Sequence, residues 1–158
     1  MTLEIPQPRL EYVFTIRLEF GPRVKAEARG SGVRRGYTGN IGGTIEGPRL
    51  NGIVMPDGGG DFPFFRPNGV VHFDSQYILK ADDGAIIVLK NRGCRHAPPD
   101  VLARMNSFDT LDPASYYFRV ASTFDAPAGP HDWLNRTVIV AGADRNRNYS
   151  IFTYYALL

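Results

Sequence analysis

The chain has 158 residues, 43% of them hydrophobic, which is enough for one domain with its own core and excludes a largely disordered chain. Eighteen Lys and Arg against sixteen Asp and Glu give a net charge of +2, too mild a balance for a protein that grips a phosphate backbone. The one cysteine, Cys94, excludes an internal disulfide. Without any Cys/His cluster, neither a structural zinc nor any other metal site is expected.

Several smaller features complete the outline. Lys occurs only at positions 25, 80 and 90, so the cations are nearly all Arg. That residue suits carboxylates and aromatic faces, though most Arg are simply solvated. No basic segment followed by an apolar run and no long apolar stretch occurs, so no membrane partner is expected and the cytoplasm is the expected location. No nucleic-acid partner and no cofactor is implied. A homo-oligomer, and first a dimer, is the expected assembly.

In chain order, residues 1–9 carry Pro6 and Pro8 and read as an extended lead-in; residues 10–158 read as a single β-barrel domain. Leu10–Phe20 alternates as a strand, with Leu10, Tyr12, Phe14, Ile16, Leu18 and Phe20 on one face. Gly21-Pro22 reads as a turn. Arg34–Ile45 is a glycine-rich strand, and Leu50–Met55 is another. The run from Pro56 to Asp61 is a strong turn signal; Phe62–Arg66 and Pro67-Asn68-Gly69 follow.

Val70–Leu79 alternates, with Val71, Phe73, Ser75 and Tyr77 on one side and His72, Asp74 and Gln76 on the other. Asp82-Asp83-Gly84 reads as a hairpin turn into the strand Ala85–Asn91. Pro98–Ser107 is the one clear helix, with prolines at its start and Val101, Leu102 and Met105 on one face. Ser115–Thr123, Trp133–Ala141 and Ser150–Leu157 read as the last strands. Nine or ten short strands joined by Gly/Pro/Asn/Asp turns predict an all-β fold: a single antiparallel barrel with one short helix.

Several blocks in fixed order carry a family likeness. They include Gly42-Gly43, Gly47-Pro48-Arg49-Leu50-Asn51-Gly52, Gly59-Gly60-Asp61, Pro67-Asn68-Gly69 and Asp82-Asp83-Gly84-Ala85-Ile86-Ile87. Asp74 to Tyr77, Asn91-Arg92-Gly93, Arg95-His96, Tyr116-Tyr117-Phe118-Arg119 and Trp133-Leu134-Asn135-Arg136 complete the series. With these the chain resembles, from Leu10 onwards, the domain-of-unknown-function 3237 family, also called UPF0311. The resemblance implies a small lipocalin-like or calycin-like barrel and implies no particular reaction. Phe62 stands where members often have Trp, His72 where a carboxylate is expected, and Gln76 in place of a common Arg.

No nucleophile elbow or phosphate loop is present. The best polar constellation is Asp61, His72 and Asp74, read as catalytic candidates. Acid–base chemistry needs a group that titrates near neutrality and a partner that orients it, and His72 and Asp74 share one strand face. That face lines the barrel only if Val71, Phe73 and Tyr77 point outward; the converse arrangement leaves His72 and Asp74 in water. Tyr37, Phe62, Tyr77, Arg95, Tyr117, Arg119 and Trp133 are the candidate ligand-binding residues, with Trp133 equally suited to plug a barrel end. The expected function is a cofactor-independent isomerase, cyclase, lyase or hydrolase acting on a small hydrophobic, aromatic or polyketide-like molecule inside the barrel. A lipocalin-like carrier without catalysis is the alternative.

Overall fold

The computed structural model describes residues 2–158, and Met1, part of the expected lead-in, lies outside the described residues. Residues 2–9 form no helix or strand and are exposed. The strands are β1 (Leu10–Lys25), β2 (Arg34–Glu46), β3 (Gly52–Val54), β4 (Gly60–Asp61), β5 (Phe64–Phe65), β6 (Val71–Ala81), β7 (Ile86–His96), β8 (Tyr117–Asp125), β9 (Ile139–Ala143) and β10 (Tyr149–Leu157). One α-helix, α1 (Pro99–Asn106), follows β7.

All ladders are antiparallel, and β1 pairs with both β10 and β2, which closes the sheet on itself. The three short strands lie end to end in one position between β2 and β6: β3 against Gly43–Ile45, β4 against Thr38 and Gly39, β5 against Arg34 and Arg35. The result is a closed eight-position barrel with one short helix, as the strand count and turn chemistry predict. The broken position follows from sequence. Pro56 and Pro63 lack ladder N–H groups. Between them Gly59 runs so close to β6 that a Cβ there would stand 1.9 Å from the Gln76 carbonyl oxygen.

Three readings are corrected. Leu10 and Tyr12 are exposed while Val13 and Phe14 are both buried, because a bulge between Tyr12 and Phe14 in the β1–β10 register flips the alternation. Gly21-Pro22 is no turn: β1 runs through it to Lys25, with the proline accommodated where the β1–β2 register shifts between Phe20 and Arg23. Within Trp133–Ala141 only Ile139–Ala143 starts a strand; Asp132–Arg136 is a 3₁₀ turn. Asn135 fixes that turn, accepting from the Ala126 amide at 2.8 Å and donating to the Ala126 carbonyl at 2.9 Å and to Asp132 at 3.0 Å.

The barrel interior has two zones. Phe14, Ile16, Leu18, Ile45, Leu79, Ile87, Leu89, Ile139 and Tyr154 fill one half. There Phe14 stacks on Tyr154 at 4.8 Å and meets Phe124 edge-on at 6.1 Å. Leu134 and Trp133 plug that end, with the Arg49 guanidinium 3.7 Å above the Trp133 ring. The other half is hollow.

Candidate functional site

The hollow half is a cavity of about 820 Å³, a size suited to a small organic ligand. It lies at the end of the barrel where β1 finishes, β2 begins, β6 begins and β7 finishes, and the C-terminal part of α1 and the β9–β10 turn border it. Seven aromatic side chains stand in its wall. Phe73, Phe118 and Phe152 come from the inward faces of β6, β8 and β10, and Phe73 stacks on Phe118 at 4.8 Å.

Polar groups enter this wall at set points. Asp61 sits in β4 directly across from Thr38 on β2 and Ser75 on β6, so three inward side chains meet on neighbouring strands. The Ser75 hydroxyl donates to Asp61 Oδ1 at 2.6 Å. Tyr77 follows Ser75 on the same face and is buried. Deeper in, Asn91 forms the floor: its Nδ2 donates to the Tyr154 hydroxyl at 3.0 Å and its Oδ1 accepts from Ser122 at 2.7 Å.

Burial dominates the electrostatics. It pushes the Asp61 carboxyl up to about 6, and the Ser75 hydroxyl, the Asp74 and Phe62 backbone and the Arg95 charge offset only part of that. Burial also pushes the Tyr77 hydroxyl well above its ordinary value, with the Asp61 charge acting in the same direction. Arg95 is buried in register between Val71 and Phe118, its guanidinium 5.4 Å from the Phe73 ring centre and 5.6 Å from that of Phe118. Desolvation, then repulsion from Arg145, lowers it to about 9, which leaves it cationic at neutral pH.

Asp61, Tyr77 and Arg95 are therefore the sequence candidates that the fold brings together. The others are placed elsewhere. Val71, Phe73, Ser75 and Tyr77 are the inward set of β6, which puts His72 and Asp74 on the outer face. There Asp74 is exposed and pairs with Arg92 at 3.4 Å, while His72 lies in a shallow outer groove with Cys94. Tyr37 and Phe62 pack against each other outside the barrel, their ring centres 5.0 Å apart and their planes tilted by 44°. Tyr117 stacks on His96 and carries Arg119 5.5 Å from its ring, again outside. Trp133 belongs to the opposite, closed end. The reason is the same throughout β6 and β8: alternation delivers every second residue to the cavity, and these seven fall on the other parity or the other end.

Sequence reading missed Ser75, Asn91, Phe108 and a set of cations: Arg23, Lys25, Arg34, Arg66 and Arg145. Ser75 was signalled by its shared face with Tyr77. The cations are scattered over more than a hundred positions and carry no local pattern. Among the described residues, no group of three or more His, Cys, Asp or Glu is placed to hold a metal ion, and no helix is long and apolar enough to cross a membrane.

The arrangement has clear relatives. A UPF0311 protein of Rhodopseudomonas palustris is 31% identical over 153 residues, covering 97% of this chain and 99% of its own. The crystal structure of a conserved protein of unknown function from the same species superposes with a TM-score of 0.89 at 28% identity, over 98% of this chain and all of that one. A Penicillium herquei protein described as an enzyme shares the fold with a TM-score of 0.72 at 20% identity, over the full length of both chains. With a family match running from residue 8 to residue 157, the chain belongs to the protein family described as "Protein of unknown function (DUF3237)".

Proposed function

We propose that this barrel is a cofactor-independent enzyme that moves a proton on a small aromatic or polyketide-like molecule held in the cavity. Asp61 is its acid–base group, and Tyr77 and Arg95 are ligand contacts. One observation carries the reading: a buried carboxyl in an aromatic cavity, hydrogen-bonded by Ser75 and pushed up to about 6, can both give and take a proton near neutral pH. A carrier needs orienting polar groups but no carboxyl held in that range. The fold itself accommodates catalysis, since the Penicillium herquei protein described as an enzyme is built on it. A chain with one cysteine suits a reducing compartment, and we place it in the cytoplasm.

The test is proton exchange. Aromatic ketones, naphthols and 1,3-dicarbonyl compounds are incubated with the protein in D₂O, and deuterium incorporation at carbon is followed by NMR. The expected result is catalysed exchange on at least one scaffold, lost in Asp61→Asn, with a pH profile that turns near 6. Ligands that bind in the cavity without any exchange, or exchange that survives Asp61→Asn, would replace the enzyme by a carrier or move the chemistry away from Asp61.

A further inference from the structure

The chain as a whole is close to neutral, yet the cavity is not. Six cationic side chains line it, Arg23, Lys25, Arg34, Arg66, Arg95 and Arg145, against a single carboxyl group, Asp61. Among the described residues none of the six has a carboxylate within 4.0 Å, whereas the ion pairs that do form all involve other residues. The set is graded in depth. Arg95 is buried among Phe73 and Phe118, Arg145 is partly buried, and the remaining four stand exposed around the mouth. Mutual repulsion is felt: Arg23 is lowered by burial and by Arg147, Arg145 by burial and by Arg23, and Lys25 by burial and then by four neighbouring arginines.

Instead of acids, four of these cations face rings. Phe108 carries the guanidinium carbons of Arg145, Arg147 and Arg23 at 4.1, 4.9 and 5.0 Å from its centre, and Lys25 Nζ lies 4.5 Å from that of Phe65. Phe108 is held there at a cost, with φ at +57°, where a bulky side chain is rare. It occupies the left-handed position that ends α1, its amide bonding the Met105 carbonyl at 3.1 Å while the Asp109 amide bonds that of Arg104 at 3.1 Å. A glycine would close the helix without strain; the ring is what the three arginines stack on.

We infer that the cavity selects an aromatic carboxylate, with the ring system among Phe73, Phe118 and Phe152 and the carboxylate at the mouth on Arg95 and Arg145. This rests on the reading that the barrel takes a small aromatic molecule, and it names the charge that molecule carries. A planar carboxylate matches the guanidinium fork. The end of α1 that borders the cavity is its C-terminal turn, whose Met105 carbonyl accepts from the Phe108 amide and from Arg145 Nη1, so the mouth offers guanidinium groups and none of the helix N-terminal N–H groups that typically hold a phosphate.

The experiment is calorimetric binding of three probes, 1-naphthoate, naphthalene-1-methanol and 1-naphthyl phosphate, to the whole protein. The expected result is 1-naphthoate binding about tenfold or more tighter than the alcohol, as charge-assisted hydrogen bonds predict. That preference falls in 0.5 M salt and in Arg145→Gln. The exposed Arg23→Gln, which leaves Arg145 and its bond to Met105 in place, also reduces it. Equal affinity for the carboxylate and the alcohol, binding of neither included, overturns the proposal, and tighter binding of the phosphate than of the carboxylate overturns its ligand class. Binding is measured without turnover, so a carboxylate preference without proton exchange leaves this inference standing while the enzyme reading fails, and the reverse pattern separates them equally.

Discussion

Asp61→Asn tests the electrostatic core of the site without needing a substrate. A carboxyl raised from 3.8 to about 6 binds its proton more tightly in the folded than in the unfolded chain, so ionisation works against folding. At 1.36 kcal/mol for each tenfold, the penalty is about 3 kcal/mol once Asp61 is fully charged. The penalty is complete above about pH 6, shrinks as pH falls through 6, and is gone below the unfolded value near 4. Asparagine keeps the shape and an oxygen for the Ser75 hydroxyl but carries no charge. At pH 8 the variant is therefore expected to be more stable than the parent by roughly 1–3 kcal/mol, a gain in Tm on the order of 3–12 °C for a chain of this size. At pH 4.5 the gap should have shrunk to about a third of that. Urea unfolding at half-unit steps between pH 4.5 and 8 measures the difference. A gap that stays constant over that range, or an asparagine variant that is weaker at pH 8, would show that burial does not hold the Asp61 carboxyl up.

Three further substitutions probe the frame around the cavity. Tyr154→Phe removes the acceptor of the Asn91 amide and leaves that buried donor without a partner, so urea unfolding should show a loss of about 1–3 kcal/mol. Gly93→Ala places a Cβ 2.0 Å from the Arg119 carbonyl oxygen, a backbone atom that cannot step aside, and should destabilise the β7–β8 pairing by more than about 2 kcal/mol, seen as a lowered urea midpoint. Asn135→Ala removes the clamp on the Asp132–Arg136 turn and should release the plug, read as a red-shifted Trp133 emission and a loss of about 2 kcal/mol.

How much of this was legible in the sequence depends on the distance over which each feature is determined. Turn chemistry is local: Asp82-Asp83-Gly84 does join β6 to β7, with Gly84 at φ +89° and its amide on the Ala81 carbonyl at 2.8 Å. The helix is local too, and its prolines mark its start. Strand parity is half local. The two faces of Val71–Ala81 can be separated by reading alone, but which face meets the interior is decided by seven other strands. His72 and Asp74 were on the losing side of that decision. The bulge at Tyr12–Phe14 is invisible for the same reason, since it exists only relative to β10. Asp61 stood out because a carboxylate after three glycines is unusual, and it proved to face the cavity. The cations around the mouth gave no signal. Positions 23, 66 and 145 become neighbours only when a closed barrel gathers its strand ends and loops at one rim.

That convergence has a thermodynamic consequence that distinguishes binding cations from structural ones. A structural arginine is paired, and its removal weakens the fold. Among the described residues the Arg23 side chain has no carboxylate partner and one hydrogen bond, a 3.5 Å contact to the Asn146 carbonyl, and it stands beside Arg147 and Arg145, all three on the Phe108 ring. In the empty protein such charges repel one another across a mouth that water only partly screens, so the unliganded fold is held back by the feature that attracts an anion. Arg23→Gln should therefore leave stability unchanged or raise it at low salt, while reducing 1-naphthoate affinity severalfold. The stability difference should shrink as salt rises toward 1 M, where the screening length falls to about 3 Å. The readouts move in opposite directions only if Arg23 serves the ligand rather than the barrel. A variant that loses stability and affinity together, at every salt concentration, would return Arg23 to the scaffold and remove the exposed part of the mouth from the ligand's binding site.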